Sequence, residues 1–511
     1  MVTRRDTLKS LLLTGMVISA PNSLRRLNAA ESSRTQPLKI PALETGTLAF
    51  GERSFSLSLQ AGVTRFYQDV ETPTWGINGT YLGPTLRMRD GENIRIQVQN
   101  GLDEHSILHW HGMNVPARAD GGPHQRIEPG ATWRPEFQVR QPAASCWYHA
   151  HTMHRSGPQV YRGLAGMLIV DDEESDQSGL PSEYGVDDIP LIIQDRIFDG
   201  NGHFVYPERM QDHMAGVRGN TLLVNGTLNP SLRAQRPLTR LRVLNGANAR
   251  NFTLGLSTGA SFWQIATDCG YLEQPVELKQ IVLTPGERVE ILVDTRGTNP
   301  FKLVNIPVPE PNIPYYGLFT DLLREMDRQA FDILEIQPSG IAADHQPAIP
   351  ERLTTIAWLP EQSANATRTI RLQMGNGPGQ GGGLGGGPHA RRQYGGWGGG
   401  VHKINGREMD PAYIEATIIA GSTEIWEIIN ETPMIHPFHI HKVHFQILDR
   451  NGAPPLPSER GFKDTVNVPA LGSVRIIAQF TGPGDPLMPY MFHCHILEHE
   501  DHGMMGQFIL V

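Results

Sequence analysis

Three stretches of this 511-residue chain repeat one pattern. Ile77-Asn78-Gly79-Thr80 precedes a segment ending Ile94-Arg95-Ile96-Gln97-Val98-Gln99-Asn100. Val224-Asn225-Gly226-Thr227 precedes Thr239-Arg240-Leu241-Arg242-Val243-Leu244-Asn245, and Ile404-Asn405-Gly406-Arg407 precedes Glu424-Ile425-Trp426-Glu427-Ile428-Ile429-Asn430. Asn-Gly is the strongest short-range turn signal, because both residues tolerate positive φ. Each following segment alternates apolar and polar side chains, the period of a half-buried strand. Short strands punctuated by Gly, Pro and Asn predict β-sandwich domains, and three copies of one unit predict three of them in an all-β protein. The length agrees with about three domains. Boundaries fall at the acidic break Asp171-Asp172-Glu173-Glu174 and at Gln337-Pro338-Ser339-Gly340. The predicted domains are therefore residues 41–172, 173–340 and 341–511.

The chemistry is concentrated in four short clusters. The richest is His493-Cys494-His495, followed by His499 and Met504. A cysteine, a histidine five residues on and a methionine five beyond that are three soft ligands from one segment. One more imidazole would complete a His2Cys site with a weak axial thioether, the coordination of blue electron-transfer copper. In an extended segment, the histidines flanking Cys494 point to the opposite face. They can therefore bind a second centre only a few bonds from the first. The other clusters are His436-Pro437-Phe438-His439-Ile440-His441, His109-Trp110-His111 and His149-Ala150-His151. Each contains an alternate-residue pair that shares one face of a strand. Ten of the twenty histidines lie in these clusters.

Two plainer readings compete. An isolated HxH pair is often polar decoration on a sheet, but four clusters in one chain, one carrying Cys and Met, argue against that. Zinc also accepts imidazole, yet a zinc site needs only three or four ligands. Twelve candidates imply several metals. The formal charge of −9 gives no reason to expect nucleic acid or an anionic membrane as partner. With three cysteines the chain is no disulfide scaffold. Cys494 aside, Cys146 and Cys269 are either one bridge or two buried thiols.

These motifs resemble those of the multicopper oxidases: laccases, bilirubin oxidases, spore-coat laccases and periplasmic cuprous oxidases. The resemblance spans nearly the whole chain, with all four motifs in the family's order. It implies three cupredoxin-like Greek-key β-barrels and four copper ions. Type 1 copper would be held by His436, Cys494 and His499, with Met504 axial, and type 2 copper by His109 and His439. One type 3 copper would take His111, His149 and His495, and the other His151, His441 and His493. The first and third domains thus supply every ligand and the middle one none, so the trinuclear cluster is expected between domains one and three. The resemblance further implies single-electron oxidation of a reductant docked near His436 or His499, transfer through Cys494, and four-electron reduction of dioxygen to water. Asp120 and Glu500 match acidic positions that relay protons in bacterial members, with Glu498 and Asp501 as weaker candidates. Asp464, in Lys463-Asp464-Thr465-Val466, is a candidate partner for a type 1 histidine, with a plain turn residue as the alternative reading.

The substrate is less constrained. Cuprous oxidases carry a methionine-rich insert in the third domain, whereas here the stretch from Met374 to Trp397 is dominated by glycine. That favours phenols and aromatic amines as reductants. The alternative is a Cu(I) or other low-valent metal oxidase, for which Met434 and the pair Met210 and Met214 are soft-ligand candidates. Arg391, Arg392, Tyr394 and Trp397 are candidate substrate contacts. A third reading, a copper-free relative like the exported cell-division proteins of this fold, is opposed by the intact ligand set. Lys442 stands where many relatives have glycine. Arg4-Arg5 ahead of the short apolar run Leu11–Ile18 reads as a twin-arginine export signal. That run is too short to span a bilayer. Residues 1–40 are therefore expected outside the fold, the protein in the periplasm or otherwise exported, not membrane-inserted, and monomeric.

Overall fold

The computed structural model describes residues 35–307, 327–342, 349–375 and 402–511. The Arg4-Arg5 segment lies outside them, as do Arg391, Arg392, Tyr394 and Trp397 of the glycine-rich run. The side chain of Met210 is also outside the description. The described residues form six sheets, paired into three β-sandwiches stacked along the chain.

All three units are built by the same device. In each, the strand that ends in asparagine pairs in parallel with an earlier one. The pairs are Asn93–Asn100 with Glu52–Thr64, Leu238–Asn245 with Asp188–Arg196, and Thr423–Asn430 with Ala366–Met374. The Asn-Gly turns are formed as expected, with Asn78, Asn225 and Asn405 at φ 55°, 50° and 49°. Each turn asparagine then accepts a backbone N–H from the first strand of its unit: Ser58 at 2.7 Å, Ile192 at 2.8 Å and Arg371 at 2.8 Å. The terminal asparagines repeat as well. Asn100, Asn245 and Asn430 are buried and accept the N–H two residues on, from Leu102, Ala247 and Thr432. Their amides donate to loop carbonyls, so no buried polar atom of the turn goes unmatched.

The expected alternation holds strictly only in the first unit, where Asn93–Asn100 alternates exposed and buried. Leu238–Asn245 is buried throughout, because the first unit covers its outer face. There Arg242 donates to Asp188 at 2.7 Å and to Ser145 of the first unit at 3.1 Å, while Ser145 donates to Glu290 at 2.7 Å. Buried charges are tolerated only when paired and hydrogen-bonded in this way. The expectation that the fold starts only after residue 40 also needs correcting. Gln36–Pro37 pairs in parallel with Pro230–Ser231 and so joins a middle-unit sheet ahead of the first unit. Among the described residues, no helix is long and apolar enough to cross a membrane.

Candidate metal centre

Two strand pairs set the site. Leu108–His111 runs antiparallel to Ala144–Ala150 with His109 opposite His149, and His436–Ile440 runs antiparallel to Tyr490–Cys494 with His439 opposite His493. Alternation puts Phe438, Ile440 and Cys494 in the third unit's own apolar core, along with Met504. The flanking histidines face the first unit. There the two units interleave their rings: His109 stacks on His441 and His111 on His439, each at 3.7 Å between centroids.

Among the described residues, four groups of donor atoms converge: His109, His439 and His441, one imidazole more than the expected type 2 pair; His111, His149 and His495; His151, His441 and His493; and His436, Cys494 and His499. In the last, the Cys494 Sγ lies 3.3 Å from His436 Nδ1 and 3.6 Å from His499 Nδ1, and the two nitrogens are 3.3 Å apart. The far nitrogens are held from outside, His436 Nε2 by Thr432 Oγ1 at 2.7 Å and His499 Nε2 by the Met214 carbonyl at 3.2 Å. Such outer hydrogen bonds fix ring tautomer and orientation for metal binding.

The same logic runs through the other cluster. His109 Nδ1 is held by the Asp120 carbonyl, His149 Nδ1 by the Ala150 carbonyl and His439 Nδ1 by the Asp464 carbonyl. His441 Nδ1 is held by the Asp120 carboxylate at 2.7 Å. The inward Nε2 atoms of His109, His149 and His439 then have no partner at all, and neither nitrogen of His495 has one. His493 Nε2 faces His151 Nε2 at 3.2 Å and His441 Nε2 at 3.3 Å. Burial, reinforced by neighbouring imidazoles, holds His109, His111, His149, His441, His493 and His495 well below the usual histidine range, and brings His151 to about 4. These rings are neutral near pH 7, the form a metal needs. Converging lone pairs without protons are costly unless a cation satisfies them. This donor set fits copper ions.

Both acids the motifs singled out are buried at the cluster. Asp120 Oδ1 lies 3.7 Å from His109 Nδ1 and has no hydrogen-bond partner. Burial pushes its carboxyl up to about 8, against a smaller opposing pull from Lys442. Glu500 accepts from Ser156 and lies 3.3 Å from His493 Nδ1 and 3.6 Å from His151 Nδ1. Burial, then the charge of Asp501, push Glu500 well above the carboxylate range. The weaker candidates are committed elsewhere. Glu498 accepts from Tyr206, Asn248 and the Val217 N–H, and Asp501 accepts the Ser156 and Gly157 N–H groups.

One expectation, the partner of Asp464, is corrected. Asp464 does not serve a type 1 histidine. It accepts from His111 Nε2 at 2.9 Å, because the strand Thr465–Val468 lies beside His436–Ile440 with Thr465 opposite His439. Cys146 and Cys269 are two buried free thiols, donating to the Gly112 carbonyl and the Asp464 carboxylate. Lys442 keeps a left-handed φ of 78° despite its side chain, with the ammonium donating to Asn114 at 2.6 Å. His154 and His502 bond the carbonyls of Asp501 and Glu498, pinning the helix Leu497–Asp501. His436 and His499 are fully buried, so a reductant does not meet them directly. His402, which no motif flagged, is stacked on His499 at 3.7 Å.

Fold and centre together define a copper-dependent oxidase with cupredoxin-like domains. Residues 59–175 and 388–511 each match the multicopper oxidase family. The chain is 35% identical over 461 residues to multicopper oxidase mco of Staphylococcus haemolyticus, covering 89% of this chain and 88% of that one. It is also 35% identical over 506 residues to the cell division protein FtsP of Salmonella typhimurium, covering 98% and 97%. Among solved structures it resembles the laccase-like multicopper oxidase CueO of a lignin-degrading Ochrobactrum species, described as active towards lignin model compounds and lignosulfonate. That match has a TM-score of 0.79 and 34% identity, over 93% of this chain and all of that one. The chain belongs to the multicopper oxidase family.

Proposed function

We propose that this protein oxidises phenols and aromatic amines one electron at a time and reduces dioxygen to water, using four coppers in the arrangement the motifs imply. His436, Cys494 and His499, with Met504 axial, would hold type 1 copper, and His109 and His439 type 2. His111, His149 and His495 would hold one type 3 ion, and His151, His441 and His493 the other. The three sandwiches would be domains bounded near residues 172 and 340, and the Arg4-Arg5 motif supports export. The observation that carries the reading is the set of inward, partnerless imidazole nitrogens packed between two units.

When bound, copper here would accept four single electrons from the reductant and pass them to one dioxygen. The chain's own residues do the rest. Cys494 links the donor side to His493 and His495 through the backbone, a path of few bonds. Thr432 and the Met214 carbonyl hold the two type 1 imidazoles in one orientation. His402, Met434 and Thr432 keep bulk water off them, so a reductant gives its electron through this cover. Asp120 and Glu500, buried beside the converging imidazoles, would supply some of the four protons that two waters require.

Met504→Leu is expected to raise the type 1 reduction potential, since an axial thioether tunes it. The swap nearly conserves volume and should cost less than about 1.5 kcal/mol. Redox titration of the blue absorption checks this, and an unchanged potential would rule out an axial role.

One observation favours a second reading, oxidation of Cu(I): Met374 packs on Ala215 and on Met434, which lies two residues before His436 in the chain. The two readings separate in a side-by-side rate measurement on copper-loaded protein, with a phenol and with Cu(I). A faster phenol rate is expected. A strong Cu(I) advantage that vanishes in Met434→Leu would reverse the assignment.

A further inference from the structure

We propose that Arg288, from the middle unit that supplies no metal ligand, is a positioning residue for the trinuclear cluster. It does so by fixing Asp464 as the acceptor that sets which His111 nitrogen faces copper. This rests on the four-copper reading above.

Arg288 is fully buried, and its five N–H donors reach five acceptors on all three units. Nε donates to the Ser145 carbonyl of the first unit at 2.9 Å. Within the middle unit, Nη1 donates to Gly286 O at 3.0 Å and Nη2 to Asp268 O at 3.0 Å. The remaining two donors grip the Asp464 carboxylate of the third unit, at 2.7 and 2.6 Å. A guanidinium offers five donors in a fixed fork, so this geometry is saturated. Asp464 is equally committed. Besides the fork, it accepts from His111 Nε2 at 2.9 Å, Thr465 Oγ1 at 2.8 Å and the Cys269 thiol at 3.1 Å.

The consequence lies in His111. His109, His149, His439, His441 and His493 are all held from outside at Nδ1 and turn Nε2 inward. His111 is held at Nε2 and leaves Nδ1 without a partner. The Asp464 carboxylate requires a proton on Nε2 and thereby bares Nδ1 for metal. Asp464 also lies within ligand distance of His111 and His439, but the fork on both its oxygens favours the outer role. The middle unit reaches the cluster a second time at Gly286, whose φ is +83°. A Cβ there would fall 2.8 Å from the His495 ring, so the turn before Arg288 is seated directly against a ligand.

The test compares copper affinity by chelator competition in wild type, Arg288→Lys, and the charge-neutral pair Arg288→Met with Asp464→Asn. Blue absorption and apo-protein unfolding are followed in each. Lysine keeps the charge and loses the fork. The neutral pair avoids stranding a buried carboxylate. Both are expected to fold and to keep the blue band, while cluster copper binds roughly 10- to 100-fold more weakly, the range for lost outer-sphere partners. Wild-type cluster affinity in both variants would overturn the proposal. So would failure of both to fold, which would assign Arg288 to the fold alone. If the wild-type chain binds copper only at Cys494, the four-copper reading fails instead, and this proposal falls with it.

Discussion

Cys494→Ser is expected to abolish both the blue colour and all oxygen uptake above background, whatever reductant is offered. The sulfur is the one soft anionic donor among three ligands, and a serine hydroxyl does not substitute for a thiolate towards copper. Cys494 is also the shortest covalent link between the two sets of imidazoles, with His493 and His495 directly on either side. The eight histidines of the other groups keep their positions and should still bind metal. Copper per chain should therefore fall by about the one ion at the Cys494 site, as metal analysis would show. Continued oxygen uptake with a phenol would mean that electrons reach the cluster by another path.

The second large effect concerns protons. Glu500→Gln and Asp120→Asn preserve shape, and either amide oxygen can still accept from its neighbours, so copper content should be kept. Turnover is expected to fall about 10²- to 10⁴-fold in each, the usual worth of a positioned proton donor. The pH dependence has a definite sign. A carboxyl raised to about 8, as burial raises Asp120, is protonated below that pH and ionised above it. Donor capacity is thus full on the acid side and lost as pH rises through 8. Wild-type turnover should decline on that alkaline limb, and Asp120→Asn should lack the decline. A wild-type rate that rises through pH 8 would contradict the assignment.

The converging histidines and Cys494 were legible in the sequence because metal binding imposes both residue type and spacing, and because strand alternation turns an HxH into one face. The three units were legible for a similar reason: Asn78, Asn225 and Asn405 each need a positive φ that few side chains accept. Arg288 was not legible. It opens the strand Arg288–Asp294, where a lone arginine reads as an ordinary strand-end charge, and its partner Asp464 is 176 positions away. Asp464 was assigned to the wrong histidine because sequence adjacency to the third-unit ligands says nothing about which unit packs over it. His402 was missed because a lone histidine carries no spacing signal; only the stack on His499 gives it a role. The burial of His436 and His499 was equally hidden, since it depends on the loop holding Thr432 and Met434 and on Met214 from a different unit.

His111 and the aspartate that accepts from it are 353 positions apart in the chain, and His495, whose ring converges with it, comes later still. Chains are made, and their domains largely fold, from the N-terminal end onward. A half-synthesised molecule therefore holds the first unit's imidazoles but lacks the third-unit side chains that belong to every group of donors. The complete donor groups can therefore form only once translation has passed residue 495.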